Sequence, residues 1–359
     1  FFFKQKTAYE ISTRDWSSDV CSSDLEQSGH WDLYRENMFI VESEGEQYSL
    51  KPMNCPESTV IYKTKTRSYR DLPLRLAEYG RLHRNELSGT LSGLTRVRHF
   101  IQDDGHIYVR PDQIEAEIDA LLAEVSTVYG WFGLPVELVF STKPAKALGD
   151  PKLWEKAEAM IESALKRSGA KWRLNAGDGA FYAPKIDIIV RDALGREWQT
   201  ATIQVDLAML PERFDLEYVD EAGERVRPIA IHRAIYGSLE RFIGILVEHY
   251  AGAFPFWLAP EQVVIIPISE RHEAAASSGA ATLRAAGLRV SVDASSARMQ
   301  NKIRLAQEQK VPLMLVVGDK EIDVGGAAPR WRDGRQEPAT SWEALAASLA
   351  AKVAARSAL

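Results

Sequence analysis

Residues 98–108 have the sequence Arg-His-Phe-Ile-Gln-Asp-Asp-Gly-His-Ile-Tyr, and the fold class of the longer part of the chain can be inferred from them and their neighbours. The alternating pattern of residues 98–108 predicts a β-strand. Because side chains two residues apart share a face of a strand, Gln102, Asp104 and His106 should line one side. An amide, a carboxylate and an imidazole in a row suit a polar site, although a solvated sheet face would show the same pattern.

The segments around this strand predict an antiparallel sheet. Alternation also covers residues 72–86, and a Gly-, Ser- and Thr-rich link at residues 88–93 connects the two segments. Further strands are predicted at residues 186–190 and 198–207, and a one-sided apolar pattern predicts a helix at 237–250. A sheet backed by helices is the α+β class.

After residue 257 the pattern changes to a smaller α/β domain. The prolines of the segment 253–260 interrupt any continuing helix. Strands and helices then alternate, with helices predicted at 271–286 and 297–309. We therefore expect one domain at residues 26–257 and a second at 258–359.

Composition limits the class of protein. The 359 residues are 45% hydrophobic and 26% charged, which is typical of globular chains. No run approaches the roughly 18 apolar residues of a membrane span, and two cysteines cannot form a disulfide framework. Because the net charge is −6, a nucleic-acid partner would need a local basic surface.

Residues 1–25 differ from the rest of the chain. They lack steady apolar spacing, and their apolar start is too short for a secretory signal. The segment resembles a translated sequencing-adapter artefact, with a natural tail as the alternative. We exclude it, and Cys21 with it, from the functional interpretation.

A basic region covers residues 61–98. Nine Lys and Arg residues stand against three Asp and Glu residues, a local balance of 9 − 3 = +6. This contrast indicates a phosphate-bearing partner, although a solvated basic face is the alternative. The chain has no glycine-rich phosphate loop of the Rossmann or P-loop type, so side chains would have to hold the phosphates.

Cys55, in the sequence Lys-Pro-Met-Asn-Cys-Pro, and His232, in Ile-His-Arg-Ala, are isolated in the chain. A single Cys is usually a small buried apolar residue, and a single His is usually structural. The spacing of Cys55, His106 and His232 matches no local zinc-finger pattern. Spacing alone therefore does not predict a metal site.

Seven blocks in order resemble the threonyl-tRNA synthetases, which are class II aminoacyl-tRNA synthetases. They cover almost all of residues 28–260, and the remainder resembles the anticodon-binding domain of that family. The CP, DDGH and IHRA blocks favour the threonine enzyme over the prolyl, seryl and histidyl enzymes. The blocks are SGHWDLYRENMF, LKPMNCP, SYRDLPLRLAEYGRLHRNE, LTRVRHFIQDDGHI, YAPKIDIIVRDALGREWQTATIQVDL, LPERFDLEY and PIAIHRAIYGSLERFIGILVEHYAGAFPFWLAP.

The resemblance implies one Zn²⁺ ion held by Cys55, His106 and His232. With an open fourth position, such a metal would test the amino acid for its hydroxyl and reject valine. The resemblance also implies a threonine pocket in which Asp104 binds the ammonium group and Gln102 reaches the carboxylate or adenylate. Its further members are Tyr182 and Gln204.

For ATP, the resemblance implies Arg84 on the α-phosphate, Glu86 on the adenine amine and Arg96 on the γ-phosphate. Arg241 would hold the ATP tail, and Mg²⁺ would bridge the phosphates. Lys185 and Gln199 are weaker ATP-site candidates. The expected catalytic residues are Arg84, Arg241, Gln102 and His30.

His30 is the candidate for the proton path in the transfer to tRNA, because histidine titrates near neutrality. A structural hydrogen bond beside Trp31 is its alternative role.

The implied function is ATP-dependent attachment of L-threonine to tRNA(Thr) through threonyl-adenylate, in the cytoplasm and with no membrane partner. A non-catalytic tRNA- or RNA-binding paralogue, an inactive fragment and the prolyl enzyme are the alternatives. The family's first motif and editing region would precede residue 28, so we expect an amino-terminally truncated chain. Such a chain would lack part of the family's homodimer interface and would not clear seryl-tRNA.

The chain departs from the family pattern at two places. Glu57 and Ser58 stand where the family usually has Gly and His, and Ala297 stands at an acidic anticodon contact. Lys302, Arg304 and Arg332 remain candidate RNA contacts, with a solvated face as the alternative.

Overall fold

The computed structural model describes residues 19–356, with side chains described from residue 24 onward. The chain divides into two compact units between Ile245 and Leu246. This division lies inside a helix and precedes the proline-containing segment at which the sequence predicts the domain boundary.

The first unit contains thirteen strands among the described residues. They are β1 (Asp19–Cys21), β2 (Ile40–Ser43), β3 (Glu46–Leu50), β4 (Arg67–Ser68), β5 (Leu74–His83), β6 (His99–Val109), β7 (Val136–Ser141), β8 (Trp172–Asn175), β9 (Lys185–Arg191), β10 (Glu197–Asp206), β11 (Tyr218–Val219), β12 (Arg225–Val226) and β13 (Ile229–Ser238).

Its described helices lie between these strands, and the last one crosses the division between the units. They are α1 (Ser22–Ser28), α2 (His30–Leu33), α3 (Cys55–Lys63), α4 (Ile114–Trp131), α5 (Pro151–Ser168), α6 (Leu210–Arg213) and α7 (Leu239–His249).

A seven-stranded sheet in the order β5-β6-β13-β10-β9-β7-β8 forms the framework of this unit. All neighbouring pairs are antiparallel except β7 and β8. The α+β class and the predicted antiparallel pair β5–β6 are therefore confirmed. Two three-stranded sheets, β1-β3-β2 and β12-β11-β4, accompany the large sheet.

The register of the large sheet brings distant residues side by side. His106 of β6 pairs with His232 of β13, and His232 pairs with Gln204 of β10. Gln204 pairs in turn with Lys185 of β9. Because directly paired residues point to one face, four polar side chains form a row across four strands.

Helices α4 and α5 pack on the large sheet, where α4 contacts β10 and β13, and α5 contacts β10. Helix α5 begins where the Asp150 side chain accepts a hydrogen bond from the Lys152 backbone N–H, and it ends at Gly169 with φ 66°. None of the described helices combines the length and apolar character needed to cross a membrane.

The second unit is a mixed five-stranded sheet with helices. Strand β14 is parallel to β15 and β16, whereas β16–β17 and β17–β18 are antiparallel. Its core collects Val263, Leu313 and Leu315 against Trp331 and Trp342. Its elements are β14 (Val263–Pro267), α8 (Glu273–Ala285), β15 (Val290–Val292), α9 (Met299–Glu308), β16 (Leu313–Val317), α10 (Asp319–Asp323), β17 (Gly326–Trp331), β18 (Thr340–Ser341) and α11 (Trp342–Ala354).

Most of the segment at residues 1–25 lies outside the described residues. Its last part contains β1, which pairs with β3, and the start of α1. Leu25 is fully buried and packs with Met38. The artefactual origin of this segment stays a prediction.

A candidate active site on one face of the large sheet

A buried Cys–His–His cluster lies at the centre of the row of polar side chains. Cys55 begins α3, and His106 and His232 are paired neighbours in the sheet. One ligand atom from each of the three lies within 4.8 Å of the others, and Cys55 Sγ is 3.4 Å from His232 Nδ1. No second group of three His, Cys, Asp or Glu side chains in residues 24–356 has this arrangement.

A carboxylate behind the cluster fixes His232. Asp206, at the end of β10, lies 3.1 Å from His232 Nε2 through its Oδ2. The same carboxylate accepts the backbone N–H groups of Ala208, Met209 and Leu210 at 2.7–2.9 Å. Asp206 therefore holds the start of α6 and the ring of His232 together.

Hydroxyl groups fix Cys55. Ser58 Oγ and Thr59 Oγ1 lie 3.0 and 2.9 Å from the Cys55 carbonyl oxygen, and both are 3.1 Å from the hydroxyl of Tyr108. Ser58, one of the two residues in the first departure from the family pattern, is thus part of the support for Cys55. Its neighbour in that departure, Glu57, lies 3.5 Å from the buried Lys51 ammonium.

Burial disfavours charge in the cluster. It raises the pKa of the Cys55 thiol, with nearby Asp104 acting in the same direction, and it lowers the pKa of His106 to about 4. His106 Nε2 is buried without a hydrogen-bond partner. A metal cation would favour the thiolate and occupy a free imidazole nitrogen, so these three residues could hold one.

The cluster opens onto a cavity of about 440 Å³. Cys55 and His232 line this cavity, whereas His106 is not part of its lining. Of the other predicted residues, Arg84, Gln102, Asp104, Tyr182, Lys185 and Gln204 line it.

Asp104 is held in the cavity wall by a residue that sequence reasoning missed. Asn54 Nδ2 donates to Asp104 Oδ2 at 3.0 Å. Gly80 makes room for this amide, because a Cβ at position 80 would lie 2.1 Å from Asn54 Oδ1. Position 54 gave no signal beyond its place next to Cys55.

The far side of the cavity is also hydrogen-bonded. The Tyr182 hydroxyl donates to Gln204 Oε1. Lys185 Nζ lies 2.9 Å from Asp187, and Gln199 Nε2 donates to the same carboxylate. Gln199 itself is exposed and lies outside the cavity lining.

Three arginines converge on the strand ends beside the cavity. Burial, Arg96 and Arg84 lower the pKa of Arg241, and Glu86 opposes them. Arg241 donates to the carbonyls of Thr95 and Gln199 at 2.8 and 3.0 Å. Arg96 pairs with Glu86 at 3.3 Å, whereas no described carboxylate pairs with Arg84. The group has excess positive charge that a polyanion could neutralise.

His30 is fully buried and does not line the cavity. Its Nδ1 lies 2.7 Å from Ser28 Oγ, and its ring contacts Phe181 and Tyr182 edge-on. Burial, with His232 and Arg84 nearby, lowers its pKa to about 3. The imidazole is therefore neutral at pH 7.

In the second unit, Lys302 is 4% exposed, and its ammonium donates to the carbonyls of Asp293 and Pro267 at 2.7 and 3.5 Å. The expectation that it contacts RNA is wrong, because its charged end is inside the unit. Arg332 likewise donates to the Lys310 and Ala253 carbonyls. Arg304 is exposed and pairs with Glu308.

Comparisons with known proteins agree with the resemblance found in the sequence. The family model for the class II core domain of tRNA synthetases (G, H, P, S and T) matches residues 39–250. The model for an anticodon-binding domain matches residues 262–352.

Two curated relatives are both named threonine--tRNA ligase. A threonine--tRNA ligase from Anaeromyxobacter dehalogenans is 52% identical over 92% of this chain and 52% of its own length. One from Symbiobacterium thermophilum is 52% identical over 92% of this chain and 50% of its own length. The chain thus spans about half the length of these curated relatives.

A solved structure agrees with them. The crystal structure described as the RNA binding domain of threonyl-tRNA synthetase from Cryptosporidium parvum superposes with a TM-score of 0.89 at 41% identity, covering 96% of this chain and 90% of that one. By its sequence blocks, its fold and these relatives, the chain belongs to the threonyl-tRNA synthetase family of class II aminoacyl-tRNA synthetases.

Proposed function

We propose that this protein attaches L-threonine to tRNA(Thr) in two steps, using ATP to form threonyl-adenylate and then transferring the threonyl group to tRNA. The observation that carries the proposal is the cavity itself. It brings Cys55 and His232 of the Cys–His–His cluster together with Asp104 and Arg84. The part of the cavity that would hold an amino acid with a hydroxyl group is thus next to the Arg84 guanidinium, which would bind a phosphate.

We propose Zn²⁺ as the metal of the cluster. One thiolate and two imidazoles are zinc ligands, and the unpartnered His106 Nε2 and the mutual distances within 4.8 Å fit such a group. Bound there, zinc would supply an open coordination position for the amino group and hydroxyl of threonine. Asp206 would orient His232.

In the threonine pocket, Asp104 would accept the substrate ammonium group. Its carboxylate is fixed by Asn54, so little side-chain freedom is lost when threonine binds. Gln102 would reach the threonine carboxylate. Tyr182 and Gln204, already hydrogen-bonded to each other, would close the far wall.

Discrimination in this pocket would depend on the substrate hydroxyl. Valine lacks the hydroxyl, and a site built around such a group rejects the analogue without it by about 10⁴-fold or more. Serine lacks only a methyl group, which changes binding by about 1–3 kcal/mol.

For the ATP step, Arg84 would bind the α-phosphate while the threonine carboxylate attacks it. A fixed guanidinium at this position stabilises charge that develops in the transition state. Arg96 and Arg241 would hold the outer phosphates, and Glu86 would contact the adenine. Mg²⁺ would accompany the ATP, and Lys185 and Gln199 would act from the edge of the site.

His30 would contribute to the transfer step as a neutral imidazole. Because its pKa is about 3, it would relay a hydrogen bond rather than carry a charge. Its contacts with Phe181 and Tyr182 would let it act on the cavity wall. The second unit would bind the anticodon region of tRNA. The aminoacylation reaction would take place in the cytoplasm.

Threonine-dependent exchange between ATP and pyrophosphate tests this proposal. The purified chain, supplied with Zn²⁺ and Mg²⁺, should exchange with threonine, weakly with serine, and not with valine or proline. Arg84→Gln should remove the exchange. Exchange that proline supports would indicate the prolyl enzyme. Failure of every amino acid, with tRNA binding retained, would favour a non-catalytic RNA-binding paralogue.

A further inference from the structure

Asp103 of β6 points to the opposite face of the sheet from Gln102 and Asp104. Its carboxylate accepts backbone N–H groups and lies 3.7 Å from the Arg233 guanidinium. Its two oxygens accept the N–H groups of Ile235, Tyr236 and Gly237 at 2.8–3.1 Å. The register of β6 with β13 shifts between Ala234 and Ser238. The three N–H groups that leave the ladder are thus satisfied by one side chain.

The turn that Asp103 holds can be formed only with glycine at position 237. Gly237 has φ +67°, and a Cβ there would lie 2.0 Å from the Thr200 carbonyl oxygen. The turn therefore has one geometry, set by β10 on one side and by the Asp103 carboxylate on the other.

A second carboxylate also links β6 to the start of α7, but here the helix residue accepts a hydrogen bond from the strand. Glu240, in the first turn of α7, accepts the backbone N–H of Ile101 in β6 at 3.0–3.1 Å. Ser238 Oγ donates to Glu240 at 3.0 Å and accepts the Arg241 N–H at 3.2 Å. Strand β6 thus holds the turn before α7, and α7 holds β6.

Arg241 comes immediately after Glu240 in α7. Its backbone is fixed by Ser238, and its guanidinium reaches the carbonyls of Thr95 and Gln199. Any displacement of the start of α7 would move the guanidinium relative to Gln102, which lies next to Asp103 in β6.

We propose that Asp103, assisted by Glu240, is a positioning residue for ATP: it holds the turn at residues 235–237 so that the Arg241 guanidinium stays in register with β6. The inference rests on the proposed function, because it takes Arg241 to be a ligand of the ATP phosphates. Asp103 itself is not part of the cavity lining and would contact neither ATP nor threonine.

The test is Asp103→Asn, measured by threonine-dependent ATP–pyrophosphate exchange. The amide has one acceptor oxygen, and its NH₂ group would face a backbone donor. We expect the KM for ATP to rise at least about tenfold, since a hydrogen bond to a charged group contributes about 1.5 kcal/mol or more. The KM for threonine should stay within about twofold of wild type.

A double-mutant cycle separates positioning from general damage. If Asp103 acts through Arg241, adding Asp103→Asn to Arg241→Gln should change the KM for ATP little further. Glu240→Gln, which weakens the contact between α7 and β6, should give the same rise in the KM for ATP. It provides the test if Asp103→Asn folds poorly. Asp220→Asn is the matched control, because Asp220 likewise accepts two backbone N–H groups, in an exposed turn.

The outcomes are distinct. If wild type shows no exchange, the proposed function fails. If wild type exchanges, but Asp103→Asn and Glu240→Gln leave the KM for ATP unchanged, the positioning role is wrong. It is also wrong if they raise both KM values equally or act additively with Arg241→Gln.

Discussion

Replacing Gly80 by alanine should weaken threonine binding without touching the cavity lining. The new Cβ would lie 2.1 Å from Asn54 Oδ1. Ordinary contact begins near 3.4 Å, so one of the two must move by 3.4 − 2.1 = 1.3 Å. Asn54 is fully buried, and its movement would break its 3.0 Å hydrogen bond to Asp104.

The expected magnitude follows from that hydrogen bond. A bond to a charged group contributes about 1.5–3 kcal/mol, which corresponds to a roughly ten- to hundredfold higher KM for threonine. The assay is ATP–pyrophosphate exchange at saturating ATP, and the KM for ATP should change less than about twofold. Gly130→Ala is the matched control, because a Cβ there meets nothing within 4 Å.

Asn54→Ala provides the decisive comparison. It removes the same hydrogen bond and the clash partner, so the double variant with Gly80→Ala should be no worse than Asn54→Ala alone. A folded Gly80→Ala protein with wild-type KM for threonine would show that the Asn54–Asp104 hydrogen bond does not govern threonine binding. Full additivity of the two changes would show that the effect does not pass through Asn54.

Three further changes test other parts of the molecule. Cys55→Ser should lower the zinc content, measured by elemental analysis, from about one ion per chain to essentially none, while Cys21→Ser should not; equal zinc in both variants would exclude the cluster as the binding site. Because the folded pKa of His30 is about 3 against 6.5 when exposed, the unfolded chain takes up the proton between these values, and the free energy of unfolding should fall by about 2 kcal/mol from pH 7 to pH 5. His30→Asn should remove that part of the pH dependence in urea unfolding, and an unchanged slope would contradict a buried neutral ring. Lys302→Met should lower stability in thermal unfolding by about 1–3 kcal/mol, with exchange retained, because a buried and a part-buried carbonyl lose their donor; Arg304→Met, which removes only exposed contacts with Glu308 and Asn301, should leave stability within about 1 kcal/mol.

The strand and helix pattern was readable because it is local. The alternation around Gln102, Asp104 and His106 predicted their common face, and β6 covers the predicted stretch to within a residue or two. Helix α9 lies inside its predicted range for the same reason. The helix signal did not reveal that Lys302 of α9 points inward, because a lysine on an amphipathic helix normally extends into solvent.

The site depends on pairings between strands far apart in the chain. Neither the approach of Cys55 to His232 nor the register of β6 with β13 follows from spacing, and only the family resemblance linked these residues. Asp206 ends β10 just before α6, a place where an aspartate often accepts nearby backbone N–H groups, whereas Asp103 lies inside β6 and has no such local signal. Which backbone N–H groups each would bind depends on the assembled sheet.

Because the row His106–His232–Gln204–Lys185 depends on strand register, this protein should be sensitive to insertions and deletions within these strands. A one-residue insertion within β13 would turn His232 to the opposite face and bring Arg233 or Ile231 into its place. The proposed metal ligand His232 and its contact with Asp206 would be lost in one event, although composition and length would hardly differ. Variation in such a protein is therefore expected to collect in the connecting loops, while the interior of these strands can change by substitution but not by insertion or deletion.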